Sequence, residues 1–347
     1  MPFPPIRVRR IVYTFLTALT LVTTVGVSSA QPAQPVTKPS AVDLPQDCYV
    51  FTSFRGNGDG LHFAWSTDGI KWSALANDRA FLTPQVGGRL MRDPCILQGP
   101  DGTFHLVWTT GWWDKVIGYA SSKDLIHWSE QKTIPVMEHE PNAKNSWAPE
   151  IAYDPAKQDF IIFWATTIPG RFTEGETSGD RGSDGTMLNH RIYCTTTKDF
   201  QTFSPTKLFF NPGYSVIDAT IRKEGETFFM IFKDETRNPP KKHLRIASSK
   251  QLEGPYEVIS EPFTPPGVWV EGPSVIKIGD DFICYFDMYT AHRYGAMKTK
   301  DMKNWTDITS ELSFNVPDVR HGTALKISRG VMANLLATGP ATQPAGQ

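Results

Sequence analysis

Residues 271–286, EGPSVIKIGDDFICYF, contain a pattern from which the architecture of the whole chain can be predicted. The acid Glu271 precedes a strand-like run, a turn of Gly279, Asp280 and Asp281 follows, and a second apolar run comes next. Two strand-like runs separated by a short Gly/Asp turn predict an antiparallel hairpin. A single acid in front of such a hairpin is typical of a solvated loop, so the role of Glu271 depends on whether the pattern recurs.

The pattern recurs three times earlier in the chain, in the segments RDPCIL, APEIAY and IDATIR. In all four copies the acid lies 10 or 11 residues before the first Phe of the next apolar run. The four acids are Asp93, Glu150, Asp218 and Glu271. A constant offset of this kind indicates that each acid opens the same structural unit.

Two further elements complete the repeat, and each occurs five times. The apolar runs are CYVFTSF, TFHLVWTT, DFIIFWATT, TFFMIFKDE and DFICYFDMY. Each run is followed by a polar strand end, a polar turn and a closing aromatic residue. The closing residues, spaced 49 to 75 positions apart, are Trp72, Trp128, Phe203, Tyr256 and Trp305. A repeat of short strands with turn residues between them predicts an all-β domain.

The first unit lacks an inner strand, and the segment RHGTALKIS, residues 320–328, lacks partners of its own. We therefore predict a five-bladed β-propeller that is closed when the C-terminal strand joins the N-terminal blade; a β-sandwich is the alternative. Since the first strand of each blade lines the central channel, the four acids are expected to meet at one end of it. His321 holds the matching position in the fifth inner strand.

The ends of the chain differ in composition from this body. Residues 1–30 combine a basic start, an apolar core and small residues before a cut at Gln31, which favours a secretory signal peptide over a membrane anchor. Residues 31–46 are rich in Pro and Gln and predict a flexible linker, residues 47–336 form the propeller, and residues 337–347 predict a disordered tail. We therefore expect an exported protein, periplasmic or extracellular, with no membrane attachment after cleavage.

Composition narrows the range of partners. The formal net charge of −1 gives no reason to expect a nucleic-acid partner. Aromatic residues make up 12% of the chain, which suits an oligo- or polysaccharide partner as well as a core. We predict a monomer. The cysteines show no metal-ligand spacing and leave the disulfide pairing open; they are Cys48, Cys95, Cys194 and Cys284.

The segments MRDPCI, WAPEI, VIDATI, VEGPSVI and RHGTAL, in this order, resemble glycoside hydrolase family 43 over residues 47–330. That family consists of five-bladed propellers that cleave sugars from plant polysaccharides. The resemblance implies an inverting mechanism with Asp93 as general base, Glu271 as general acid, and Asp218 orienting Glu271 and raising its pKa. Inverting pairs have their carboxyl groups about 6.5–9.5 Å apart, with room for a water. The resemblance implies no cofactor for the chemistry, and it places a water or a structural calcium ion near His321.

Other residues near the channel motifs are candidates for sugar contacts. The substrate-binding candidates are Trp147, Glu150, Trp112 and Arg92. Arginines are expected to balance the carboxylates, and these are Arg92, Arg293 and Arg320. The tryptophan next to Trp112, Trp113, is a candidate for the pocket border. The polar, Gly-rich insertion at residues 166–191 predicts a loop or lid at the pocket rim.

These patterns predict an exported inverting glycosidase that acts on arabinose- or xylose-containing glycans, with exo-α-L-arabinofuranosidase as the leading activity. β-Xylosidase, endo-arabinanase and galactosidase activities of the same family are alternatives, because Glu150 and the Ala219-Thr220 pair depart from the commonest family pattern. The alternative from another functional class is a non-catalytic propeller that binds glycans. A protein that only binds glycans has no need for three acids at one site. A sialidase would need an arginine trio, and a fructan-cleaving enzyme an Asn-Asp-Pro nucleophile.

Overall fold

A computed structural model describes residues 44–56, 59–175 and 179–339. All of these fall within one compact unit, residues 39–347. The predicted signal peptide and most of the predicted linker lie outside the described residues. Within the described ranges, no helix has the length and apolar composition that a membrane span requires.

The described part of the chain forms five blades, each beginning near the channel and running outwards. The first blade starts with β1 (Asp47–Ser53), β2 (His62–Ser66) and β3 (Lys71–Ala74), and a 3₁₀ turn covers Ala76–Asp78. The second blade contains β4 (Arg92–Gln98), β5 (Phe104–Thr109), β6 (Ile117–Ser122) and β7 (Lys132–Ile134). The third contains β8 (Trp147–Asp154), β9 (Asp159–Thr167), an inserted hairpin of β10 (Asp180–Arg181) and β11 (Met187–Leu188), then β12 (His190–Thr197) and β13 (Lys207–Phe210).

The last two blades follow the same plan. The fourth contains β14 (Val216–Glu224), β15 (Thr227–Asp234), β16 (His243–Ser249) and β17 (Glu257–Val258). The fifth contains β18 (Glu271–Ile278), β19 (Asp281–Met288), β20 (Arg293–Thr299) and β21 (Thr306–Asp307). The chain then returns to the first blade with β22 (Ser313–Asn315) and β23 (Ala324–Ser328), and ends its described part with α1 (Arg329–Ala337).

The C-terminal strand closes the ring as the sequence predicts. The sheet of the first blade has the order β22-β3-β2-β1-β23, and β23 pairs with β1 in antiparallel register, with Ala324 opposite Phe51. The outer strand β22, which is parallel to β3, was not predicted. Neither was α1, which is capped by Ser328, buries Met332 and Leu335, and ends one residue beyond the predicted boundary of the body.

Apolar cores lie between neighbouring blades. Val50 and Phe51 are consecutive residues of β1, and both are fully buried. Val50 packs in the cluster that contains Trp108 of the second blade, whereas Phe51 packs against Tyr285 of the fifth blade. Because successive strand residues point to opposite faces, a strand covered on both faces must be apolar at every position. This explains why the second-strand runs are continuously apolar.

The cysteines contribute to these cores as free thiols. Each lies in a different strand, and all four are buried: Cys48, Cys95, Cys194 and Cys284. Burial raises the pKa of the Cys194 thiol to about 12. None of the four is in a disulfide in the described structure.

Four inner strands begin with a β-bulge that aims side chains at the channel mouth. The register of β4, β8, β14 and β18 shifts across four residues at or near the start of each strand (92–95, 147–150, 217–220 and 271–274), and the second residue of each of these bulges has a left-handed φ of 46° to 58°. These second residues are Asp93, Ala148, Asp218 and Gly272. Bulges commonly re-aim side chains next to active sites.

The four predicted acids are therefore not structurally equivalent. Asp93 and Asp218 occupy the second bulge position, Glu271 the first and Glu150 the fourth. The number of residues from each acid to the next Phe is similar only by compensation. The acids occupy different bulge positions, and the turns after the inner strands differ in length. The prediction that all four acids share one position is wrong for this reason.

Candidate active site

A cavity of about 480 Å³ opens where the bulges meet. Seven of the eight predicted site residues line it: Asp93, Asp218, Glu271, Arg92, Trp112, Trp147 and His321. The eighth, Glu150, does not. Convergence of the acids at one end of the channel is thus observed for the three predicted catalytic residues.

Asp93 is held as a buried carboxylate. The Thr109 hydroxyl donates a hydrogen bond of 3.0 Å to Oδ2, and His321 Nδ1 lies 3.3 Å from Oδ1. Burial alone would raise the pKa of Asp93, but the hydrogen bond and charge of His321 and the charge of Arg92 outweigh it, so the pKa lies below its usual value. Asp93 is therefore ionised at neutral pH, as a group that accepts a proton must be.

His321 supplies a positive charge between two of the acids. Its Nδ1 also lies 3.9 Å from Asp218 Oδ2. Burial would lower the pKa of His321, but the charges of Asp218 and Asp93 raise it to about 9. The side chain is thus an imidazolium at neutral pH.

The surroundings of His321 do not fit a calcium ion held directly by the protein. In the described ranges, no group of three or more His, Cys, Asp or Glu side chains is arranged to hold a metal ion. Calcium takes six to eight oxygen ligands, and a protonated imidazole has no lone pair to offer a cation. The water-mediated ion that the family resemblance implies stays a prediction.

Glu271 lies between two cations. Lys233 Nζ is 3.0 Å from Oε2, and Arg320 donates to Oε1 at 3.2 Å. Burial would raise the pKa of Glu271, but Lys233, Arg320 and His321 together lower it below its usual value. The net shift of the Glu271 pKa in the free protein is thus downward, because Lys233 and Arg320 flank the carboxylate; the raising effect of Asp218 on this pKa stays a prediction.

Asp218 is the acid of this pair whose pKa is raised. Its Oδ2 accepts a 2.9 Å hydrogen bond from the backbone N–H of Gly272, the residue after Glu271. Burial raises the pKa of Asp218, and the negative charge of Glu271 adds to the effect against the opposing charge of His321. Asp218 thus holds the start of β18 through this hydrogen bond, and it binds a proton more readily than Glu271 does.

Lys233 begins a chain of buried charges that sequence reasoning missed. It lies at the end of β15, 2.8 Å from Glu235 as well as 3.0 Å from Glu271. Glu235 is 2.6 Å from Lys242, and Lys242 also pairs with Asp180 in the inserted hairpin. Burial raises the pKa of Glu235 to about 7 despite these lysines. Alternating charges therefore connect the insertion to Glu271.

The sequence does contain a signal for Lys233 and Asp287. It lies in the apolar runs that form the second strand of each blade. Lys233 pairs across the sheet with Ile217, and Asp287 pairs with Glu271, so both lie beside the bulges. Asp287 accepts a hydrogen bond of 2.6 Å from Arg320. A charged residue that ends an otherwise apolar run beside an acid-bearing strand is the feature that points to them.

An aromatic wall borders the cavity. Trp147 lies edge-on to Trp112 at 5.9 Å and donates its indole N–H to the Trp112 carbonyl at 2.7 Å. The Arg92 guanidinium lies over Trp112 at 4.4 Å and over Phe54 at 4.6 Å. Arg92 is thus held as a cation on aromatic faces, while Arg293, which was expected to balance the acids, lines a separate pocket with Tyr294.

Glu150 is buried deeper in the channel and does not reach the cavity. Thr220 donates a hydrogen bond of 2.9 Å to its carboxylate, and burial raises the pKa of Glu150 against the opposing charge of Arg222. Glu150 lines a different pocket together with Cys95. Its predicted contact with sugar is therefore not supported, because the fourth bulge position faces away from the mouth.

Gly272 is a position where only glycine fits. Its φ is +58°, and a Cβ there would lie 2.4 Å from His321 Cγ. Gly272→Ala is expected to displace His321 or Glu271 and to lower kcat/KM about 10²-fold, since a shift of about 1 Å in a catalytic group has that effect. We expect Gly279→Ala, with a similar φ of +60° but open space at Cβ, to lose stability without that loss of activity. Urea denaturation and initial rates distinguish the two; equal activities would contradict the prediction.

Comparison with known proteins is consistent with this geometry. A family model described as "Probable glycosyl hydrolase domain" and related to glycoside hydrolase family 43 matches residues 45–332. A curated α-L-arabinofuranosidase of Bifidobacterium longum subsp. longum is 23% identical over 305 residues, covering 75% of this chain and 28% of that protein. This chain therefore corresponds to less than a third of the relative's length.

Solved structures share the fold. An α-L-arabinanase of Cellvibrio cellulosa, solved with arabinohexaose, superposes with a TM-score of 0.53 at 16% identity over 80% of this chain and 96% of that one. An endo-1,4-β-xylanase of Bacteroides thetaiotaomicron gives 0.51 at 14% identity, over 80% and 93%. Because two different activities share this fold, the structural likeness does not select a substrate.

Proposed function

This chain belongs to the family of probable glycosyl hydrolase domains related to glycoside hydrolase family 43, and from that membership we propose that it hydrolyses arabinose- or xylose-containing plant-type glycans as an exo-α-L-arabinofuranosidase. The observation that carries the proposal is the meeting of Asp93, Asp218 and Glu271 in one cavity, each with a different electrostatic environment. The likeness to a curated α-L-arabinofuranosidase supports the choice of sugar.

The geometry supports an inverting mechanism. Asp93, ionised beside His321, takes a proton from a water as that water attacks the anomeric carbon. Glu271 gives a proton to the glycosidic oxygen as the bond from carbon to that oxygen breaks. The new carbon–oxygen bond forms on the face opposite the departing group, which inverts the anomeric centre.

Asp218 is a nearby group that can bind the proton that Glu271 needs. Asp218 has the raised pKa of the pair, and it is bonded to the backbone beside Glu271. In the active form the proton resides on Glu271 while Asp93 stays ionised. Since the pKa of Glu271 is lowered in the free protein, this form is populated mainly at acidic pH. We therefore infer that kcat/KM rises as the pH falls towards the pKa of Glu271.

The proposal includes export to the periplasm or the extracellular space. It is supported by the basic start, apolar core and small residues of positions 1–30. A monomer in this location meets oligo- and polysaccharides directly.

The test is hydrolysis of an aryl α-L-arabinofuranoside beside the matching aryl β-D-xyloside, with the product anomer followed by NMR. We expect turnover of the arabinofuranoside and release of the inverted anomer. Faster turnover of the xyloside would assign a β-xylosidase instead. Release of the retained anomer would overturn the mechanism, and binding of glycans without hydrolysis would overturn the enzymatic role.

A further inference from the structure

We propose that a groove beside the active-site cavity is a second carbohydrate-binding site, which holds the part of a glycan chain beyond the scissile bond. The groove has a volume of about 780 Å³, and its lining includes Trp113, Lys115, Asn142, Lys144, Ser183 and Asp184. The inference rests on the proposed function and deepens it, because it makes the substrate a chain of several sugars rather than a small glycoside.

The groove is continuous with the active site through aromatic rings. Trp147 lines the catalytic cavity, and its ring centroid lies 5.8 Å from that of Trp113, which lines the groove. Trp112, the residue before Trp113, lines the cavity on the same side. A glycan that leaves the cavity over Trp147 therefore meets Trp113 next.

Trp113 is unusually exposed for its size. In the part of the chain that the structure describes, four large hydrophobic side chains are exposed, and two of them are Trp112 at 44% and Trp113 at 45%. Adjacent exposed aromatic residues beside a pocket indicate a binding surface rather than random exposure. The apolar faces of sugar rings stack on aromatic rings, and the indole ring is large and rigid.

The inserted hairpin holds this ring in position. A Cβ at Gly182 would lie 3.3 Å from Trp113 Cη2, so the glycine lets the hairpin approach the indole closely. Asp184 of the same hairpin is 3.0 Å from Lys144 in the segment before β8. The platform is therefore preorganised on two sides, by Trp147 and by the insertion.

The charges of the groove favour a neutral polyhydroxylated ligand. Lys144 is paired with Asp184, and Lys115 Nζ donates to the carbonyls of Pro141 and Glu140 at 2.7 and 3.1 Å. Lys144 is thus neutralised and two of the three N–H donors of Lys115 are occupied, so the groove offers hydrogen-bonding groups rather than a cluster of unpaired cations. Side-chain amide and hydroxyl groups such as those of Asn142 and Ser183 complete a lining that suits sugar hydroxyls.

The experiment compares kcat/KM for an arabinoxylo-oligosaccharide with kcat/KM for the aryl glycoside, as a ratio. In Trp113→Ala we expect this ratio to fall about tenfold, because stacking on the chain is lost. Trp113→Phe should restore most of it. Leu208→Ala removes another exposed hydrophobic side chain, at 45% exposure in β13, and should leave the ratio unchanged. An unchanged ratio in a folded Trp113→Ala protein would overturn the proposal.

A binding measurement separates this inference from the proposed function. If the protein hydrolyses neither substrate, the proposed function fails. Calorimetric titration with the same oligosaccharide then tests, independently of hydrolysis, whether the groove binds it. A Kd about tenfold weaker for Trp113→Ala than for the unaltered protein supports the groove. Equal Kd values, or no binding by the unaltered protein, would overturn it.

Discussion

Glu271→Gln is expected to lower kcat/KM for arabinose-containing oligosaccharides by about 10²–10⁴-fold, the range typical of a lost general acid. An aryl α-L-arabinofuranoside with a good leaving group should lose far less, since its phenolate departs without a proton. The reason is the position of Glu271 in the cavity beside Asp218, a carboxyl group whose pKa is raised by burial. Rates on both substrates, measured on protein of unchanged thermal stability, check the prediction.

The matched control for this experiment is Asp93→Asn. Asp93 is expected to act on the attacking water, which is the same for both substrates, so the mutant should lose activity on both to a similar extent. If Glu271→Gln reduced both rates equally while Asp93→Asn discriminated between leaving groups, the assigned roles would have to be exchanged.

Lys233→Met is expected to move the alkaline limb of the pH profile of kcat/KM upwards by about 1–3 pH units, the usual effect of one close opposite charge. Lys233 lies 3.0 Å from Glu271 and stabilises its ionised form. Without the ammonium, the pKa of Glu271 rises. Because Glu271 must be protonated to act as an acid, activity then persists to higher pH. Initial rates measured across pH 3 to about 9 on an arabinose-containing oligosaccharide, whose leaving group needs the proton of Glu271, would show the shift.

Lys242→Met provides the control for that shift. Lys242 is as buried as Lys233 and pairs with Glu235 and Asp180, but not with Glu271. Its loss should destabilise the fold to a similar extent and leave the alkaline limb in place. A limb that moves equally in both mutants, or in neither, would show that Lys233 does not set the pKa of Glu271.

Much of the fold can be predicted from the sequence because every blade packs between two neighbouring blades. Strands such as β1 are covered on both faces, so the apolar run CYVFTSF recurs in form in each blade. The unpaired segment that contains β23 identified the closing strand. In contrast, β22 is only three residues long, and its parallel pairing with β3 depends on tertiary contacts that leave no periodic pattern.

The active site was recovered less completely. Asp93, Asp218 and Glu271 were found because acids at the start of inner strands converge by topology. Glu150 was misplaced because counting residues does not show where a bulge and a turn shift the register. Arg320 was predicted to balance the carboxylates and pairs with Glu271, whereas Lys233 was missed because it becomes a neighbour of Glu271 only through packing between the fourth and fifth blades.

Because β23 closes the ring, the active site is complete only after the C-terminal part of the chain has folded onto the first blade. Arg320 and His321 directly precede that strand, and the Thr323 N–H donates to the Thr52 hydroxyl across 271 residues of sequence. A nascent or proteolysed chain that stops before residue 320 still carries all three acids, but it lacks Arg320 and His321, two of the cations that set their charge states. Long-range contacts of this kind form late in folding. We therefore expect a chain that stops before residue 320 to lack catalytic activity.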